Sequence, residues 1–519
     1  MAARGPVGEA GERGTRGEAA CPGAGGAVSA VSDPYADGAP DRRYANADLL
    51  PAETGEFRWR WWDFAAVWVC VSWTLAALML SGMPGADRFS WPQTLLVCGV
   101  AQVLVLLPSF LVEHAGDRYG VPFAVFARSA FGIRGAALPA LLRFASACVW
   151  FGFQADLGVQ GITLLTGDLE LGTLGGSDFL SPAYLVFLGL QLWIITKGPR
   201  GLRRFADLAA PVLIAGLVVA FLWVFTHARG PMLPEPARPV GWGADFWLEA
   251  APALASATAL FAAVGLTVPD LVHLGGSGRG GEEGRRSGVR LGVGVLLPVV
   301  MTGMSLYTMA LMSGSGYSAD GYAGSLTQHA LDGMPGGALV AAVMLIVATL
   351  CGNLGMNLVS AAYDLSSTAP SRIGFRGAAV IAALAGSAVV WWSRSSSDYQ
   401  ALVWADLAEG FFGTVSGILV AEYWIVRRTR LRPADLYRRG GPYWYAGGWN
   451  WRAVVSFLVG GVLAVGGSSG ENSGLGANGP ALPFLSALDD FGWLVGLVAA
   501  GGLYTVLTLR ARAAAPEGD

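Results

Sequence analysis

A chain of 519 residues that is 53% hydrophobic and only 14% charged falls well short of the roughly 25% charge of a soluble globular protein. Its apolar residues fall in runs near the roughly 20 residues that cross a bilayer as a helix, so the composition excludes a soluble domain and fits an all-α polytopic membrane protein. The net charge of −3 sits in loops and identifies no partner; the bilayer itself is expected as one, nucleic acid is not, and the residues carry no signal of oligomeric state.

In chain order, residues 1–43 are rich in Gly, Ala, Arg and Glu. They lack the apolar core of a signal peptide, so a disordered cytoplasmic tail is expected. About twelve spans follow, at 63–83, 91–113, 136–166, 179–196, 206–227, 246–273, 290–313, 337–363, 377–393, 399–426, 453–468 and 490–509. They form one transmembrane domain over 44–511, followed by a cytoplasmic tail at 512–519. With the N-terminus inside, the inner loops hold Arg118, Arg128, Arg134, Arg200, Arg203, Arg204, Arg279, Arg285, Arg286, Arg372 and the cluster from Arg427 to Arg439. The outer loops hold only Arg88, Arg229, Arg238 and Arg394. This asymmetry obeys the positive-inside rule, and each cluster reads most simply as a solvated loop. Arg is abundant and Lys nearly absent, as in GC-rich bacteria, so the expected location is the inner (plasma) membrane of a bacterium, with both termini cytoplasmic.

Two spans look interrupted. Span 6 contains Gly265 and Pro269, and span 8 contains Gly352 and Gly355. Such residues free backbone groups that lipid cannot satisfy, so broken helices tend to line a cavity near the midplane. Kinks without function are the competing reading. Span 1 has no Gly or Pro between Asp63 and Leu80, so no unwound first helix is visible.

The polar residues inside spans carry the functional signal. In VWFGFQADLG, Val149–Gly158, Trp150 and Gln154 are four apart and share a helical face. Phe261 in span 6 and Asn357 in span 8 join them as candidates. Rings stack planar ligands, and amides both donate and accept, so the set suits a flat heterocycle bearing N–H and C=O groups. Helix-to-helix packing and hydrogen bonding explain the same residues without a ligand. Among the carboxyls, Asp156, Asp406 and Glu409 are candidates for proton coupling, because intramembrane acids often mark ion pathways. Asp406 and Glu409 are three apart on one face, and neighbouring carboxyls raise each other's proton affinity. Asp156 lies about 200° around the helix from Gln154. Asp270 and Asp364 sit near span ends, where pairing with Arg or a helix terminus is expected. Cys21, Cys70, Cys98, Cys148 and Cys351 have no paired spacing, and His114, His227, His273 and His329 form no zinc pattern, so no metal and no cofactor are expected.

Several blocks in order carry a resemblance: NADLLP before span 1, YGVPFAVFARSAFGIRGAALPALLR and WFGFQADLG around span 3, VPDLV closing span 6, NLGMNLVSAAYDLSSTAPSRIGFR ending span 8 and AEYWIVRRTRLRPADLYRRGGPYWYAGGWNW after span 10. The chain resembles the nucleobase–cation symporter-1 family, permeases for cytosine, purines, uracil, allantoin and hydantoins, and looks closest to the hydantoin branch. The resemblance implies a LeuT-type fold: a first repeat over 63–227, an inverted second repeat over 246–426 and two additional helices over 453–509. It implies substrate contacts from Trp150, Gln154, Phe261, Asn357 and Thr74. Relatives often have Trp where this chain has Phe261, and Gly where it has Leu260, so the pocket is reshaped. The sodium site of coupled relatives maps onto the carbonyls of Cys70, Trp73 and Ala348 and onto Cys351 and Gly352, where both hydroxyls are missing. A proton is therefore favoured over sodium as the coupling ion.

The resulting expectation is a secondary-active importer of a planar nitrogen heterocycle, working by alternating access. The alternative is a non-transporting sensor or receptor on the same fold. No HExxH, GxSxG, phosphate-binding loop or Cys/His cluster supports an enzyme.

Overall fold

The computed structural model describes residues 40–51, 59–166 except 82 and 86, 181–276 except 237, 296–317, 323–395, 400–467 and 482–514. Most of the expected N-terminal tail and the last five residues lie outside them. Among the described residues the chain is helical apart from an isolated bridge between Ala446 and Trp449.

All twelve expected spans are helices. In order they are Trp61–Ser81, Trp91–Tyr119, Ala137–Thr166, Pro182–Thr196, Gly198–Thr226, Ala244–Leu260 continued by Ala262–Leu274, Leu296–Ser315, Gly337–Gly352 continued to Thr368, Phe375–Ser395, Gln400–Val420 continued to Val426, Trp451–Val465 and Gly492–Ala513. Span 5 begins at Gly198 rather than near 206, because Pro199 occupies its first turn, where a missing N–H is harmless, and the arginines then continue the helix. Outward-facing Leu107, Trp193, Leu208, Phe225, Leu458 and Val498 are exposed, an apolar coat that suits lipid and not water.

Span 3 packs against both halves of span 8 and against span 9. Span 2 packs on the second half of span 6, and span 1 lies against spans 5, 7 and 8. Spans 10, 11 and 12 form a group of their own.

The two interruptions differ from each other. Span 8 changes from α-helix to a π-helical turn at Asn353–Leu358, immediately after Gly352 and around Gly355, as expected. Span 6 breaks at Phe261, where φ is −95° and ψ is 0°, and runs unbroken through Gly265 and Pro269. Gly265 serves close approach instead: a Cβ there would lie 2.3 Å from Ser109 Oγ of span 2. Span 1 is continuous.

The arginines expected in inner loops are not all solvated. Arg128, on the short helix Arg128–Phe131 between spans 2 and 3, is 1% exposed. Its guanidinium donates to the carbonyls of Tyr44 at 2.7 Å, Leu436 at 3.2 Å and Ser367 at 3.3 Å. Burial pulls its ionisation down to about 10, which leaves it charged at neutral pH. The AEYWIVRR block is likewise structural. Glu422 is buried, pairs with Arg427, and accepts from Tyr504 Oη at 2.8 Å. Arg427 Nη2 reaches Tyr445 Oη at 2.9 Å.

Candidate functional site

Span 3 brings Gln154 to the place where spans 1 and 8 cross. A Cβ on Gly352 would lie 3.3 Å from Gln154 Oε1 and 3.8 Å from Val71 Cα. A side chain there would press on the amide, which would have to give by a few tenths of an ångström. Gln154 is 5% exposed, and its Oε1 accepts no hydrogen bond from the described residues. Buried polar atoms are nearly always paired, and one that is not needs an explanation.

Asn357 lies in the π-helical turn of span 8, the kind of local insertion that recurs at functional sites. It is buried, and its Nδ2 donates to Asn353 Oδ1 at 2.8 Å. Asn353 Nδ2 in turn donates to the carbonyl of Phe151 in span 3 at 3.0 Å. An amide relay thus ties span 8 to the span that carries Gln154. Sequence reasoning missed Asn353; the signal was its spacing of four from Asn357, which puts both on one face.

The other candidates divide. Phe261 is 1% exposed and forms the break in span 6. Trp150 is half-buried, and its ring meets Phe153 edge-on at 5.9 Å, with no ring contact to Phe261 among the described residues. Thr74 is buried, but its hydroxyl donates to Val71 O at 3.2 Å within its own helix. Asp156 sits beside Tyr184 of span 4 and accepts from Gln160 at 3.4 Å, turned away from the crossing. Glu409 is buried. The side chain of Asp406 lies outside the described residues, and so does its pairing with Glu409.

At the residues matched to the sodium site, Cys70 and Cys351 are both buried and lie close enough to interact electrostatically. The side chain of Trp73 turns away to meet Tyr307 of span 7 edge-on at 5.8 Å. Ala348 is buried in the helix of span 8. Span 1 is helical throughout Trp61–Ser81, so the carbonyls of Cys70 and Trp73 already accept the N–H groups four residues on.

Eleven residues before Gln154, Arg143 closes the strap-side end of span 3 (Asn46, Asp48 and their neighbours before span 1 form a strap across this end). Its Nη2 lies 2.5 Å from Asp270 Oδ2 in span 6, and its Nε lies 2.7 Å from Asp364 Oδ2 in span 8. Nη2 also donates to Asp364 Oδ1 at 2.8 Å, and Nη1 to the carbonyl of Leu266. All three charged side chains are at most 2% exposed. Asp270 and Asp364 are thus paired with Arg, as their positions near span ends suggested, but the partner came from span 3 rather than from a loop.

Residues 51–496 match the family described as permease for cytosine/purines, uracil, thiamine, allantoin. The chain is 26% identical over 484 residues to an allantoin permease of Bacillus subtilis (strain 168), covering 90% of this chain and 93% of the relative. It is 29% identical over 443 residues to the purine-uracil permease NCS1 of Arabidopsis thaliana, covering 82% and 71%. Its fold superposes with TM-score 0.71, at 22% identity and over 92% of this chain and 98% of the other, on Mhp1, a nucleobase-cation-symport-1 family transporter in a closed conformation with bromovinylhydantoin bound. The architecture is therefore the LeuT-type five-plus-five repeat with two further helices. By the match over most of its length, the chain belongs to the permease family for cytosine/purines, uracil, thiamine and allantoin.

Proposed function

We propose that this permease imports a planar nitrogen heterocycle of the nucleobase, allantoin or hydantoin class across a bacterial plasma membrane, coupled to protons rather than to sodium, and performs no catalysis of its own. One observation carries the reading. Gln154 Oε1 is buried, faces the crossing of spans 1, 3 and 8, and has no donor. A ring N–H of the substrate supplies that donor. Asn357, already held by Asn353, addresses the substrate's polar edge, and Trp150 and Phe261 offer flat apolar faces. Cys351 and Gly352 offer no side-chain oxygen at the positions matched to the sodium site, which supports a proton over sodium, a hard cation that favours oxygen ligands. By the positive-inside rule, the arginines concentrated at the strap end support a cytoplasmic position for that end and for both termini.

The test is uptake of labelled allantoin, benzyl-hydantoin, uracil, cytosine and hypoxanthine into proteoliposomes, first under a proton gradient and then under a sodium gradient. Accumulation of at least one of them under the proton gradient alone is expected. Uptake driven only by sodium would overturn the coupling, and no uptake under either gradient would overturn the substrate class.

A further inference from the structure

His273 occupies the last turn of the inner half of span 6 and is 6% exposed. Its Nδ1 lies 2.7 Å from the carbonyl oxygen of Gly120, which caps span 2. Its Nε2 lies 3.0 Å from the carbonyl oxygen of Asp48 in the strap. Both partners are acceptors only. A neutral imidazole has one N–H and would aim a lone pair at one of the two oxygens, whereas the imidazolium donates to both.

The two acceptor-only partners and the charged neighbours favour that charge, and burial opposes it. Among the described residues Arg143 is the one buried arginine or lysine paired with Asp270 and Asp364, and Asp270 acts directly on His273. From the strap, the exposed carboxylate of Asp48 adds negative charge, and its Oδ2 is held by the N–H of Phe375 at 2.9 Å. From span 8 the neighbour is the phenol ring of Tyr363, edge-on at 5.2 Å. Span 2 contributes the Gly120 carbonyl. A C-terminal helix turn also favours a cation. Burial is the main opposing influence, so the case for the charge rests on the two carbonyl oxygens that both ring nitrogens face.

The strap belongs mechanically to the other side of the gate. Asn46 Nδ2 donates to Ser366 Oγ at 2.9 Å and to Pro370 O at 3.3 Å, at the end of span 8. Asp48 caps the start of span 9, and Tyr437 Oη donates to Leu49 O at 2.7 Å. His273 joins this assembly to span 6, which packs with span 2. Arg128 makes comparable bonds to three carbonyls as a permanent cation; His273 makes two as a group that titrates.

We propose that His273 is the proton-binding latch of the cytoplasmic gate: as imidazolium it fastens span 6 to the end of span 2 and to the strap, and loss of its proton frees the strap contact. The proposal rests on the transporter reading only for what the latch gates. The sign is fixed: the latch is complete at low pH and is lost as pH rises through the ionisation of His273.

Hydrogen–deuterium exchange on the full chain in nanodiscs, without substrate, tests it, with rates corrected for the intrinsic effect of pH. Protection of peptides covering 44–50 and 262–274 is expected to fall about tenfold between about pH 5 and about pH 8, a range that brackets the ordinary titration of an imidazole. His273→Arg is expected to keep protection at both pH values. His273→Gln is expected to lack it even at the lower one. Unchanged protection in the wild type, or a pH step that survives in His273→Arg, would overturn the latch. Because no heterocycle enters the assay, failure of the substrate reading leaves this result intact.

Discussion

At the crossing of spans 1, 3 and 8, Gln154 keeps a buried amide oxygen without a donor. About three turns away on the same span 3, Arg143 gives each of its nitrogens to a carboxylate or a carbonyl of spans 6 and 8. Both places are buried, and both are polar. The first is left incomplete and the second is closed on itself. An unpaired buried acceptor is unfavourable for the fold; other buried atoms, such as both amide atoms of Gln191, share that state, and what distinguishes Gln154 is its place beside spans 1 and 8, where the proposed substrate would supply the donor. A saturated network does the opposite work and fixes how spans 3, 6 and 8 sit together.

The contrast predicts opposite consequences for substitutions at the two ends. The largest effect is expected from Arg143→Ala, which leaves two buried carboxylates facing each other and should remove about 3–5 kcal/mol of stability. Thermal melting in detergent checks it, and an unchanged midpoint would show that the network holds nothing. Tyr504→Phe comes next: Glu422 Oε2 loses its donor, for a loss of roughly 1–3 kcal/mol with substrate affinity untouched, measured by melting and binding together. Gly352→Ala should be smallest in stability, within about 1 kcal/mol. Its new methyl, 3.3 Å from Gln154 Oε1, should nevertheless weaken binding about threefold to tenfold, read by titration with the transported heterocycle.

Much of this was legible in the sequence, because apolar runs and loop arginines report directly on the membrane. The twelve spans, the interruption after Gly352 and the face shared by Trp150 and Gln154 are local patterns. What was not legible depends on partners far along the chain. Arg143 meets residues 127 and 221 positions away, and no spacing rule announces such a pair. Gly265 looked like a hinge, but its missing side chain makes room for Ser109, and the break falls at Phe261 instead. Arg128 looked like a solvated loop charge and proved to be a buried clamp on three carbonyls. His273 showed no pattern because its partners are backbone carbonyls, which any residue can supply. Cys70 and Cys351 are a middle case: each thiol was readable in its apolar span, but their proximity to each other was not.

The most direct measurement is Gln154→Leu, taken through melting and heterocycle binding in one preparation. Replacing an unpaired buried amide with an apolar side chain of similar size should leave the melting midpoint unchanged or raise it. Binding should weaken by at least about tenfold. A variant that melts lower than the wild type while binding the heterocycle with unchanged affinity would contradict the account, because the amide would then belong to the fold and not to the substrate.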